Sequence, residues 1–205
     1  MIESIDNALQ IASLLCCAGI SLYRTTKYKS RTWTQAFFFY GSWALGCIYW
    51  LLCLLFYDST PQISVVSDLS WYAALILLYM ILRRTAPPEL GRKIGFLPWL
   101  GPVFTAGMAV FFMTRGEIIS NLIYAGLMGL LLFSAILRLT GGEQYRRQRF
   151  LAAAILVLCM LEYGLWVSSC FWSGDTLANP YYWFDLVMTA WFFVLIPAIK
   201  KAVES

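Results

Sequence analysis

The sequence predicts an all-helical integral membrane protein that crosses the bilayer seven times. Of the 205 residues, 60% are hydrophobic and only 13% are charged, whereas a soluble domain has about 25% charged residues. Six or seven separate apolar runs reach the length that a bilayer requires, which is about 20 residues for a helix. Because little sequence remains between these runs, we predict a single membrane domain over 1–205.

Seven apolar runs define the predicted spans in chain order. They cover about 7–23, 33–57, 63–82, 95–113, 117–137, 150–171 and 181–199. The first run is the shortest and carries Gln10. The acidic start of the chain lacks the basic residues of a signal peptide, so we count this run as a span. Pro98 and Pro102 are expected to bend or unwind the start of the fourth span, and composition predicts a turn at 58–62.

The charged residues predict the orientation of the chain. With the amino terminus outside, fourteen of the fifteen Lys and Arg residues fall on the inner side and only Arg115 falls outside. This asymmetry follows the positive-inside rule, and the inner basic residues would meet the anionic headgroups of the bilayer. Eight acidic residues lie on the outer side or in the outer half: Glu3, Asp6, Asp58, Asp68, Glu117, Glu162, Asp175 and Asp185. We therefore predict an N-out, C-in protein of a bacterial inner membrane or a plasma membrane.

Recurring spacings predict an internal repeat. Asp68 precedes Arg84 by 16 positions, and Asp185 precedes Lys201 by 16 positions. The first three spans would then parallel the last three, related by an axis along the membrane normal. The alternative is that basic residues end every inward span in any case. The predicted parts are unit one over about 7–84, a linker helix over about 95–113 and unit two over about 117–201.

This three-plus-one-plus-three layout resembles the SWEET sugar transporters and their PQ-loop relatives, which include the KDEL receptor. The resemblance covers the whole chain, but only as architecture. The Pro–Gln pair that names the PQ-loop family belongs in the first helix of each unit. Here the only such pair, Pro61–Gln62, lies in an outer loop, and the first and fifth spans contain no proline. The resemblance therefore implies no site residue and no sugar substrate.

Three acidic residues lie within apolar runs. Asp68 and Asp185 are about one to two turns inside the outer ends of the third and seventh spans, and Glu162 is somewhat outward of the middle of the sixth. A carboxylate in hydrocarbon is costly, so each residue is a candidate for a functional site. The alternatives are that the acids cap helix starts or face interfacial water, or pair with Arg115.

Aromatic residues accompany these acids. Trp166 and Tyr72 follow Glu162 and Asp68 by four positions and so share a helix face with them. The second span carries a similar stripe, Trp43, Cys47 and Trp50. Carboxylates beside Trp and Tyr rings suit a cationic or zwitterionic ligand, although the rings could instead form an interfacial belt. Glu162 is also a candidate to carry a coupling proton, because intramembrane carboxyl groups serve as proton relays.

These features predict a small transporter or facilitator. Its partners would be the lipid bilayer and either a small polar solute or a proton. The solute would be cationic or zwitterionic and would enter an acidic, aromatic outer cavity. Glu162, Asp68 and Asp185 would set the charge preference, and Trp50, Trp166 and Tyr72 would wall the site. The alternative is a ligand-sensing or scaffold protein that acts through a partner chain.

The sequence does not indicate an enzyme. Histidine is absent, which removes common zinc ligands and the usual general base. The six cysteines fall in predicted spans and form no C-x-x-C motif. No G-x-S-x-G, H-E-x-x-H or P-loop motif occurs. We therefore predict no catalytic residue, no metal, no cofactor and no nucleic-acid partner.

Small residues recur at four-residue spacing on three helices. The sets are Gly101, Thr105 and Ala109; Ser42 and Gly46; and Ala125 and Gly129. This spacing lets helix backbones approach closely. We interpret these faces as helix packing within one chain, and the alternative is a face between the copies of a homo-oligomer.

Overall fold

The computed structural model describes residues 2–57, 65–86 and 95–203. Every regular element in these ranges is a helix, which confirms the predicted all-helical class. The seven α-helices are α1 (Ile2–Tyr28), α2 (Arg31–Tyr57), α3 (Val65–Arg84), α4 (Leu100–Phe112), α5 (Ile118–Leu139), α6 (Arg149–Phe171) and α7 (Pro180–Val203). Short 3-10 turns, Leu97–Trp99 and Glu143–Tyr145, precede α4 and α6. The predicted turn at 58–62, with its Pro–Gln pair, lies outside the described residues.

Six of these helices are long and apolar enough to cross a membrane, and α4 is the exception. With 13 residues, α4 is about 20 Å long at 1.5 Å per residue, whereas a hydrocarbon core is about 30 Å thick. Pro98 lies in the preceding 3-10 turn, as expected of a proline that disturbs a helix start. The fourth span is therefore a shorter apolar helix. In contrast, α1 was expected to be the shortest span and has 27 residues.

The six long helices form a closed ring. In order around the ring they are α1, α2, α3, α5, α6 and α7, and α7 returns to pack against α1. The remaining helix, α4, packs mainly against α5. The three helices of each predicted unit are therefore neighbours in sequence order, and the duplication itself stays a prediction.

Large apolar side chains cover the outer surface of the bundle. Phe56 is 76% exposed and Ile119 is 74% exposed, and many other Leu, Val and Phe side chains are exposed with them. A soluble protein rarely leaves so much contiguous apolar surface in water, whereas membrane hydrocarbon would cover it. The fold is thus that of a multi-pass integral membrane protein.

Small residues bring α4 and α5 into close contact. A Cβ atom on Gly101 would lie 2.7 Å from the Leu132 Cβ atom, and one on Gly129 would lie 2.9 Å from the Thr105 hydroxyl oxygen. Both distances are shorter than a normal contact between carbon atoms, which is about 3.5–4.0 Å. These small residues therefore pack helices within one chain, as the spacing predicted.

The amino-terminal end of α1 is held by the loop between α6 and α7. The Asp175 carboxylate accepts hydrogen bonds from the backbone N–H groups of Ile2 at 3.3 Å and Glu3 at 3.1 Å, and from the Tyr182 hydroxyl at 3.0 Å. The first N–H groups of a helix lack partners within the helix, and the helix dipole favours an anion there. Hydrogen bonds from the amino-terminal end of the chain lower the pKa of Asp175 to about 2. A distant loop residue therefore supplies the cap of α1.

Candidate functional site

A partly open cavity of about 360 Å³ lies between the helices at the bundle end that carries the start of α1 and the α6–α7 loop. Side chains from α1, α2, α3, α6 and α7 line it, so the closed ring of helices creates it. Its aromatic lining comprises Trp43, Trp50, Trp71, Trp166, Trp172, Tyr181 and Tyr182, and its acidic lining comprises Glu3, Glu162 and Asp185. Among the described residues, no lysine or arginine lines this cavity.

Glu162 is a buried acid that lines the cavity. Its side chain is only 7% exposed. Trp166, one helical turn later, lies beside the Glu162 side chain, as the four-residue spacing allows. The Oε2 atom of Glu162 is buried and has no hydrogen-bond partner among the described residues. A buried acceptor is costly to leave unpaired, so this carboxyl group is the candidate to contact a ligand in the cavity.

Asp185 is held in a network at the floor of the cavity. It is 3% exposed and accepts a hydrogen bond from Nε2 of Gln10 on α1. The Gln10 amide nitrogen also lies 3.4 Å from the Thr189 hydroxyl oxygen, and its Oε1 atom accepts a hydrogen bond from the Cys47 thiol at 2.8 Å. The network therefore ties α1, α2 and α7 together and fixes the Asp185 carboxyl group beside the cavity.

A second acidic residue lies against Asp185. The side chains of Asp6 and Asp185 lie close enough to interact electrostatically, and Asp6 is only 8% exposed. Because α1 packs beside α7, two acids that are 179 positions apart in sequence meet at this point.

Indole rings form one wall of the cavity. The Trp50 Nε1–H group donates to the Glu3 carboxylate at 3.0 Å, and the Trp50 and Trp71 ring centroids are 6.1 Å apart. Trp71 lies so close to α2 that a Cβ atom on Gly46 would be 2.7 Å from its Nε1 atom. The glycine at position 46 therefore determines how closely the Trp71 indole approaches α2.

The structure brings four of the six predicted site residues together at the cavity: Glu162, Asp185, Trp50 and Trp166. Asp68 and Tyr72 lie elsewhere, on the side of α3 that faces α5. There the Ser120 hydroxyl donates to the Asp68 carboxylate at 3.0 Å and lies 2.6 Å from the Tyr72 hydroxyl. These two residues therefore contribute to the contact between α3 and α5.

The first helix supplies polar lining that the sequence analysis did not assign to the site. Glu3, Asn7 and Gln10 all line the cavity. Asp6 lies next to Asp185 and does not itself line the cavity. The signal was present in the sequence, because these positions recur at three- and four-residue spacing and so share one face of a helix. Glu3 and Asp6 were instead placed in an acidic start outside the first span.

Arg115 does not neutralise the acids of the cavity. Its guanidinium carbon lies 4.6 Å from the Phe111 ring centroid and 4.9 Å from the Phe171 ring centroid. This is the geometry of a cation–π contact. The arginine therefore stacks on two rings and does not line the cavity to which Glu162 and Asp185 contribute.

Comparisons with protein families, with curated proteins and with solved structures find no match. Within the part of the chain that the structure describes, no group of three His, Cys, Asp or Glu residues is arranged to hold a metal ion. The cavity lining presents carboxyl groups, indole and phenol rings, and amide groups.

Proposed function

We propose that the protein binds a small organic cation or zwitterion in this cavity and moves it across the membrane. The observation that carries the proposal is that Glu162, an acid buried within the bundle, lines a cavity rich in tryptophan. A positively charged group is the ligand that this carboxyl group and the ring faces would both attract.

Electrostatics favour a cation over an anion. Glu3, Glu162 and Asp185 contribute carboxyl groups, and no basic side chain among the described residues opposes them at the lining. An indole ring adds about 0.5–1 kcal/mol of attraction for a cation at an exposed site and about 2 kcal/mol at a desolvated one. A bound anion would meet the carboxylates with no compensating charge.

The size of the cavity favours a small ligand. Its volume of about 360 Å³ is at the lower end of the range for ligand sites, which is about 300–1,000 Å³. A single amine, amino acid or quaternary ammonium compound fits such a space, whereas a peptide or a large lipid does not.

Buried side chains fill the half of the ring beyond the cavity, and we propose that the cavity opens toward one side of the membrane. Phe39, Trp43 and Phe192 pack against one another in the core, with the Trp43 and Phe192 centroids 5.0 Å apart. The Tyr40 hydroxyl donates to the Phe192 carbonyl at 3.0 Å and ties α2 to α7. Such one-sided access is the expected resting state of an alternating-access transporter.

Transport would need the two three-helix units to rock against each other, as the SWEET-like layout implies. We propose that α1–α3 and α5–α7 are these units, that α4 is the connection between them, and that the cavity faces outward with the amino terminus outside. Opening of the Phe39–Phe192 contact would then release the solute on the inner side.

A two-stage experiment tests the proposal. Purified protein is first heated with a panel of amines, amino acids and sugars. We expect cationic compounds to raise the thermal midpoint, and sugars and anions to leave it unchanged. The best ligand is then used for uptake by proteoliposomes, with Glu162→Gln as the comparison. Stabilisation without uptake would favour the ligand-sensing alternative, and stabilisation by none of the cations would refute the proposed site.

A further inference from the structure

We propose that the cavity selects cations that carry no carboxylate, such as quaternary ammonium alcohols, and rejects zwitterions such as amino acids and betaines. This inference rests on the proposed cation-binding function. It narrows the ligand class, because the proposed function includes zwitterions as well as simple cations.

Several hydrogen-bond donors at the cavity lining are already committed to acceptors within the protein. The Trp50 Nε1–H group donates to the Glu3 carboxylate at 3.0 Å, and the Asn7 amide donates to the Glu3 carbonyl at 2.9 Å. The Gln10 amide donates to the Asp185 carboxyl group. On the α1 and α2 sides of the cavity, these donors therefore serve the protein's own acids and backbone.

The same holds where α6, α7 and the loop between them line the cavity. The Asn179 amide donates to the Gly174 carbonyl at 3.0 Å, and the Ser169 hydroxyl donates to the Trp166 carbonyl at 2.7 Å. The Tyr182 hydroxyl donates to the loop carboxylate that caps α1. A ligand carboxylate would have to compete with these bonds for its donors.

The lining also supplies no positive charge to a ligand carboxylate. Among the described residues, its charged side chains are all acidic: Glu3, Glu162 and Asp185. A carboxylate that leaves water is costly to bury unless a cation or several donors replace its hydration. In this cavity it would lose water and meet groups of its own charge.

The acids are spread along the cavity. Glu3 lies in the first turn of α1, and Gln10, which holds Asp185, lies seven residues later. Two turns of helix separate these levels by about 10 Å at 1.5 Å per residue. The negative end of a zwitterion would therefore lie near an acid whichever end entered first. Like charges placed side by side weaken binding and exclude unwanted ligands.

A cation without a carboxylate avoids this conflict. Its charge is attracted by the three acids and by the faces of the tryptophan rings. A hydroxyl group on such a ligand is neutral and needs no positive partner. The cavity therefore favours an ammonium alcohol over the amino acid or betaine of similar size.

Three quaternary ammonium compounds test this inference. Glycine betaine has a carboxylate where choline has a hydroxymethyl group, and glycine betaine methyl ester removes that negative charge again. Isothermal titration of the wild-type protein should give a Kd for betaine at least about 100-fold higher than that for choline. The ester should bind with a Kd close to that of choline.

The possible results separate this inference from the proposed function. Betaine that binds as tightly as choline would overturn the inference and leave the proposed function standing. Equally weak binding of betaine and its ester would assign the rejection to size and would also overturn the inference. Failure of all three compounds to bind would refute the proposed function, and the inference with it.

A lysine at the cavity lining gives a test that a folding defect cannot imitate. Ser173 lines the cavity and is exposed in the α6–α7 loop. Ser173→Lys should lower the ratio of the betaine Kd to the choline Kd about 2- to 5-fold, whereas the uncharged Ser173→Gln should not. Thr176→Lys adds the same charge to the same loop outside the lining and should change the ratio less. Equal changes in the two lysine variants, or none in Ser173→Lys, would overturn the inference that the lining lacks a partner for a carboxylate.

Discussion

Replacing Gly46 by alanine is expected to weaken cation binding without removing any charge. Gly46 lies on α2 where the Trp71 indole packs against the helix backbone. A Cβ atom at this position would lie 2.7 Å from the Trp71 Nε1 atom and 3.1 Å from Cδ1 and Cε2. Because ordinary contacts are about 3.5 Å or longer, the ring must retreat by about 1 Å from its place in the cavity wall.

The size of the effect follows from the contribution of one indole ring. A cation–π contact is worth about 0.5–2 kcal/mol, depending on its exposure to water. Loss of the Trp71 face should therefore raise the Kd for a small cation about 2- to 30-fold. The new methyl group also crowds a packed contact, which typically costs about 1–3 kcal/mol of stability, partly offset by the higher helix propensity of alanine, about 1 kcal/mol.

Gly41→Ala is the matched control for this experiment. Gly41 lies on the same helix, and nothing approaches within 4 Å of a Cβ atom built there. Choline titrations followed by tryptophan fluorescence would compare the two variants with the wild type, and thermal unfolding would compare their stabilities. Equal binding by Gly46→Ala and the wild type would refute the role of Trp71 as a cavity wall. Equal weakening in both variants would show that the effect is general to α2.

Three further changes have defined outcomes. Glu162→Gln should weaken choline binding about 30- to 150-fold, because loss of one partner of a buried charge contact costs about 2–3 kcal/mol. The control is Glu117→Gln, which changes an exposed acid at the same end of the bundle. An equal loss of choline affinity in the two variants would contradict a specific role of Glu162. Gly101→Ala should lower the free energy of unfolding by about 1–3 kcal/mol. Gly107→Ala should leave it unchanged, because a Cβ atom at Gly107 would lie in open space. A calorimetric measurement in which Gly107→Ala is the less stable variant would refute close packing of α4 on α5. Asp175→Asn should lower the thermal midpoint above about pH 4. The pKa of Asp175 in the folded protein is about 2, below its ordinary value of 3.8. The higher thermal midpoint of the wild type should therefore disappear as the pH falls toward 2. A difference in thermal midpoint that persists at pH 2 would contradict this explanation.

Most of the helices could be predicted from the sequence because a bilayer demands long apolar runs. The predicted span at 150–171 agrees with α6 (Arg149–Phe171), and that at 117–137 agrees with α5 (Ile118–Leu139) to within two residues. The extent of α1 could not be predicted in this way. Its polar first turns are held in a helix by Asp175, a residue far away in sequence.

The cavity could be predicted only in part. An isolated acid in an apolar run marks Glu162 and Asp185, because such a residue is costly unless the fold uses it. The same local pattern surrounds Asp68, yet this residue faces Ser120 on α5. Packing against neighbouring helices decides which way a helix face points, and the sequence pattern of one helix does not contain that information.

The partner of Asp185 illustrates the same limit. Asp6 and Gln10 reach Asp185 because α1 closes the ring beside α7. This pairing joins the first and last helices of the chain, so no local periodicity reveals it. The four-residue spacing of polar residues on α1 is visible in the sequence, but only the folded ring shows what that face meets.

The most direct test of the account compares choline with its neutral isostere, in which a carbon atom replaces the quaternary nitrogen. The two compounds have nearly the same shape and fill the same volume, and they differ in charge. Isothermal titration of the purified protein should give a Kd for choline at least about tenfold lower than that for the isostere, since the carboxylates and indole rings attract the charge. Equal affinities, or tighter binding of the isostere, would contradict the claim that this cavity recognises a cation.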